Sequence, residues 1–297
     1  MEHAILVRPF GPVQVERDGD RAPNLGSRKA LTLLSYLAVL GQPCARVALA
    51  DLFWSDMPEA RGRASLSWVL NKLSALLPGA LQADPHTIQF RHDTCWLDVA
   101  AFDQLVAQDD LAALAAAVDL YRGELMAGMQ LDGCPDFEQW LTVEREHWHQ
   151  RATHVLQELT NRYERQGAYQ DGVRFVSGLL ALEPWQEDTH RQRMRLLALS
   201  GQRSAALAQY ETCRRILADE FGVEPAEETT ALYEQIQMGG LAPAGAAQRG
   251  EPASMAAPTH VRTPKRRSIS RSNSPHSSAA QPSRRRSPAS LHSQPHY

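Results

Sequence analysis

The chain has 297 residues, length for about two domains, and its 43% apolar content is enough to build real cores. It has no apolar run approaching the ~18 residues a membrane span needs. The start, MEHAILVRPFG, has no basic stretch followed by a long apolar one, so export is not expected and the cytoplasm is the expected location. The net charge of −3 hides three regions. Residues 1–98 carry ten Lys/Arg and ten Asp/Glu, residues 99–260 thirteen against twenty-four, and residues 261–297 eight basic residues and no acid. A neutral head, an acidic middle and a basic tail point to different jobs.

The head opens on two β-like runs, AILVRPF and PVQVER, and DGD at 18–20 reads as a hairpin turn. Ser27 is placed to cap a helix whose apolar positions Leu31, Leu34, Leu37 and Ala38 recur at helical spacing, with Gly41-Gln-Pro43 as its stop. A short second helix is expected around 46–53, burying Leu49, Leu52 and Phe53. Asp56, Pro58 and Glu59 read as the start of a third helix, 58–77. At 100° per residue, Leu66, Val69, Leu70, Leu73 and Leu77 form one stripe of that helix. Arg61, Ala64, Ser67, Trp68, Asn71, Lys72 and Ala75 fall on the opposite side, which is short of carboxylates. After Pro78-Gly79 the extended runs of LQAD-PH-TIQFR-HDT-CWLD predict a β-hairpin. Strands in front, three helices and a hairpin behind describe a winged helix-turn-helix, whose third helix enters the DNA major groove. A merely solvated helix face accounts for the same pattern equally well.

From 99 to 238 only helical patterns occur, at 99–108, 110–122, 135–166, 168–182, 185–199, 202–220 and 226–237. GAYQDGVRFV at Gly167 is echoed by GQRSAALAQY at Gly201, 34 residues on, and LEPWQEDT by VEPAEETT. Helix pairs at this period predict tetratricopeptide (TPR)-like stacking, with Tyr121, Trp140, Phe175 and Tyr210 in its core. The expected fold is therefore mostly α: a winged-helix domain (1–98, α+β), an all-α TPR-like array (99–238), and an Ala/Pro then Ser/Arg-rich tail (239–297) too poor in apolar residues to order itself. RRSIS and RRRSP in that tail resemble basophilic phosphorylation sites.

Enzyme chemistry lacks its starting motifs. GxxxxGK[ST], GxGxxG and GxSxG are all missing. His147, His149 and His154 have no Cys or further His at ligand spacing, and Cys44, Cys95, Cys134 and Cys213 have no CxxC spacing and read as reduced, partly buried thiols. No catalytic residue, metal site or cofactor is assigned.

The order of parts carries a resemblance. LADLFWSDMPEARGRASLSWVLNKLSALLP, CWLDVAAFDQL, LYRGELMAGMQL, DFEQWLTVERE and LLALSGQRSAALAQYETCRRILADEFGVEPAEETTALYEQI together resemble the SARP/AfsR-type bacterial transcriptional activators, an OmpR-type winged helix followed by a bacterial transcriptional activator domain (BTAD). The likeness runs over residues 4–238. It implies an activator that binds double-stranded DNA as a homodimer on direct repeats and contacts RNA polymerase. It also implies that 58–77 is the recognition helix and Thr87–Leu97 the wing. On this reading Asn71 and Ser67 face base edges, Arg61, Arg63, Lys72 and Arg91 meet phosphates, and Trp68 either contacts DNA or packs on the wing. Many relatives carry arginine where this chain has Ser67, Ser74 and Ala75, and larger ones add an ATPase module. The alternative is a TPR-type interaction scaffold whose winged helix no longer binds DNA.

Overall fold

The computed structural model describes residues 5–21 and 27–241. The tail from 242 onward, expected to be disordered, lies outside the described residues.

In the head, β1 (Ile5–Arg8) and β2 (Gln14–Arg17) pair antiparallel with Val7 opposite Val15. The DGD turn into β3 (Asp20–Arg21) places Asp18 at φ 54° and Gly19 at φ 87°, the left-handed pair that matches strand twist. Helix α1 (Arg28–Leu40) is capped by Ser27, whose hydroxyl accepts the Ala30 N–H at 3.1 Å, and ends on left-handed Gly41. A short β4 (Cys44–Ala45) leads into α2 (Arg46–Trp54), and α3 spans Glu59–Leu76. Asp56 does not cap α3. The first helical turn instead starts from Pro58, whose φ of −56° suits it to a helix start, with no side-chain cap.

The wing differs from the expected Thr87–Leu97. The hairpin is β5 (Leu81–Ala83) against β6 (Thr87–Phe90), extended on its other edge by β4. β7 (Cys95–Leu97) turns away and pairs parallel with β1, in a sheet of order β3-β2-β1-β7. Local chemistry explains the split. The Asp84 carboxylate accepts the N–H groups of His86 and Thr87, both at 2.7 Å, and the Thr87 hydroxyl at 2.6 Å, closing the β5–β6 turn. The Thr94 hydroxyl reaches back to the Gly79 carbonyl at 2.8 Å, ending the hairpin before β7 begins.

The array comprises α4 (Asp98–Val106), α5 (Leu111–Leu120), α6 (Pro135–Arg165), α7 (Tyr169–Leu182), α8 (Glu187–Leu199), α9 (Arg203–Phe221) and α10 (Glu227–Gln237). Each lies within a few residues of its sequence expectation. The repeat glycines Gly167 and Gly201 are both left-handed, at φ 73° and 83°. Phe175 is buried, and Tyr121, Trp140 and Tyr210 pack half-buried against the cores.

One apolar core runs from β1 through the head and into α6 and α7, and a smaller one joins α8, α9 and α10. Phe10 is the keystone between head and array. Its ring sits edge-on to Phe102, Tyr121 and Trp148 with centroids 5.1–5.8 Å apart. The Gly11 N–H donates to Glu124 O at 3.0 Å and the Met126 N–H to Pro9 O at 2.7 Å, so main-chain bonds tie the two parts together.

Candidate nucleic-acid interface

Helix α3 buries Leu66, Val69, Leu70 and Leu73, as its stripe predicts. Gly62 lets it approach α2: a Cβ there would meet Trp54 Cβ at 3.3 Å. With that face fixed, Arg61, Arg63, Trp68 and Asn71 stand exposed, and Ser67 and Lys72 half-exposed. Trp68 is 60% exposed and lies under the Lys72 ammonium, 5.4 Å from its ring centroid, so it does not pack on the wing.

The cations divide into two groups. Arg63 is ion-paired with Glu59 one turn back. Arg91 forks onto Asp93, with bonds of 3.1 and 2.6 Å that hold the Asp93 carboxyl below its ordinary range. Among the described residues Arg61 and Lys72 have no carboxylate partner, so their charge is open to an outside anion. Arg61 also borders a groove of about 540 Å³ between the start of α1, the end of α2 and α3, lined further by Lys29, Trp54, Met57 and Trp68.

Ser67 is committed internally. Its hydroxyl donates to Arg63 O at 2.9 Å and accepts from Arg46 Nη2 at 3.1 Å. Arg46, which pattern reading passed over, extends its other arm to the Asp84 carbonyl at 3.4 Å, and its backbone N–H donates to His86 O at 2.8 Å. It thereby links the exposed helix to the wing turn. The hydrogen bonds of that turn, the Thr87 hydroxyl first, hold the Asp84 carboxyl down at about 2, so it is ionised at neutral pH. Only the fold could reveal Arg46, because its partners lie 21 and 38 residues away.

Residues 97–237 match the model of the bacterial transcriptional activator domain. The chain is 28% identical over 247 residues to the regulatory protein AfsR of Streptomyces coelicolor, an alignment covering 76% of this chain and 24% of that one. It is 27% identical over 253 residues to the transcriptional regulatory protein EmbR of Mycobacterium tuberculosis, covering 76% and 62%. The chain thus carries a bacterial transcriptional activator domain over residues 97–237 and is similar to the SARP/AfsR-type regulators. The solved structure of M. tuberculosis EmbR in complex with a low-affinity phosphopeptide superposes with a TM-score of 0.55 at 24% identity, over 80% of this chain and 66% of that one, and the likeness is one of fold. The alignment with AfsR thus takes in about a quarter of that relative's length. The BTAD match begins at Leu97, the last residue of β7, so helices α4 to α10 are the BTAD and the head precedes it. No helix among the described residues is long and apolar enough to cross a membrane.

Proposed function

We propose that this SARP-type chain is a sequence-specific DNA-binding regulator, an activator that sits as a dimer on direct repeats in a promoter and contacts RNA polymerase. The observation that carries it is the outer face of α3. Arg61, Trp68, Asn71 and Lys72 all project from a helix whose opposite side is locked in the core, with the β5–β6 turn tied to it through Arg46. Asn71 supplies the short amide suited to a base edge, and Arg61 and Lys72 supply uncompensated charge for phosphates. The head's equal count of acids and bases means that attraction to DNA rests on this local face rather than on net charge.

The acidic BTAD is suited to protein contacts, and these include the dimer partner and polymerase. Few free cations per head imply weak binding by one copy at physiological salt, which favours paired occupancy of repeats. Titrating the protein against promoter fragments from its own genome in a gel-shift assay tests the proposal. Discrete, competitor-resistant complexes are expected. The absence of a complex with any fragment, even at low salt, would instead support the scaffold alternative, for which the internal pairing of Arg63 and Arg91 speaks. Binding that only matches random DNA would contradict sequence specificity.

A further inference from the structure

A second surface lies at the far end of the BTAD. The loop from α7 to α8 exposes Trp185 (47%), and the last residue of α9, Phe221 (58%), and Val223 (49%) in the loop after it are exposed as well. The two loops are fastened together: Glu187 Oε1 accepts the Ala226 N–H at 2.7 Å and the Thr229 hydroxyl at 2.5 Å. From the other side, His190 Nε2 holds the Pro184 carbonyl at 2.8 Å. Gly222, left-handed at φ 68°, ends α9 and turns Val223 back toward it, with the Val223 N–H on Leu217 O. Three large apolar side chains thus stand on a loop edge that is already ordered, the condition under which burying them costs least on binding.

The charge around them is predominantly acidic, with Arg214 near Glu224 already paired to Glu211. Asp188, Glu224, Glu227 and Glu228 are exposed beside the apolar side chains, and Asp219 and Glu220 lie just before Phe221. No lysine or arginine occurs from 216 to 241. The neighbouring Arg191 is spent on Asp188, Glu187 and the Thr229 hydroxyl. Such a rim repels nucleic acid, and it repels its own copy in a two-fold pairing. An exposed tryptophan and phenylalanine inside a charged rim are the composition of an interface anchor.

We propose that this edge, built on Trp185, Phe221 and Val223, is a docking surface for a partner protein segment that presents an apolar stripe flanked by lysine or arginine. The surface is separate from the α3 face and does not depend on DNA binding.

Three synthetic amphipathic peptides test it by fluorescence anisotropy with the full chain: leucine stripe with lysine flanks, leucine stripe with glutamate flanks, and lysine flanks with serine replacing leucine. The lysine–leucine peptide is expected to bind at least about tenfold more tightly than either control. Trp185→Ala with Phe221→Ala should remove that preference. Glu227→Lys with Glu228→Lys should shift it to the glutamate–leucine peptide, while far-UV circular dichroism stays that of the parent for these exposed changes. Equal binding of all three peptides overturns the proposal. So does a lysine–leucine preference that survives both double variants.

Discussion

Phe10 donates its backbone N–H to Asp98 Oδ2 across 3.1 Å, joining the segment just after β1 to the first residue of the BTAD helix α4. Arg122 reaches the same oxygen at 3.5 Å and also bonds the Arg8 carbonyl. Asp98 is 1% exposed and its Oδ1 has no protein partner, so burial pushes its carboxyl up to about 7 against the hydrogen bonds that favour the anion. Head and BTAD therefore share a buried acid at their junction.

That junction should titrate. The folded carboxyl binds its proton up to about pH 7, whereas an unfolded aspartate releases it near 3.9. The folded chain thus holds the extra proton between those values, and the stability it contributes falls as pH rises through that window. Asp98→Asn keeps an acceptor for Phe10 and removes the titration. Measured by scanning calorimetry, the variant's thermal midpoint should gain on the parent's as pH goes from 5 to 8. A difference constant across pH would rule out protonation of Asp98 as a source of stability.

Arg46 should matter to DNA binding although it stands outside the expected contact set. Arg46→Ala cuts the link between α3 and the wing turn, and should weaken binding to the specific site several-fold, with Arg46→Lys intermediate. Because Ser67 works through Arg46, adding Ser67→Ala to Arg46→Ala should cost little more. Additive losses from the two changes would show that Ser67 meets DNA itself.

The repeat turn at Gly201 sits at φ 83°, where a β-branched side chain is strained. Gly201→Val should cost roughly 1–3 kcal/mol. Gly201→Asn, which tolerates the left-handed region, should cost less. Denaturant midpoints measure both. A parent-like midpoint for the valine variant would mean that the turn relaxes to a negative φ.

What the sequence made legible was local. The α3 stripe, the Ser27 cap and the repeat turns at Gly167 and Gly201 all arise from spacing within one element or turn, and the structure has each of them. The wing was misplaced because TIQF and CWL are equally strand-like. Their different partners, β5 and β1, are chosen by long-range pairing and by the Asp84 turn. The bond of Ser67 to Arg46 spans 21 residues, and the pairing of Arg91 with Asp93 depends on side-chain geometry rather than spacing, so neither could be read from the pattern. The Phe10–Asp98 junction was invisible for the same reason: 88 residues separate the pair.

The central claim is that the α3 face reads DNA, and equilibrium binding of Asn71→Ala and Lys72→Ala to one specific promoter fragment and to random DNA, across a salt series, tests it most directly. Asn71→Ala should lose roughly 1–3 kcal/mol on the specific fragment and almost nothing on random DNA. Lys72→Ala should weaken both alike and flatten the salt dependence by about one unit. If both variants bind the specific fragment as the parent does, with the same salt slope, the α3 face is a solvated surface and the claim is wrong.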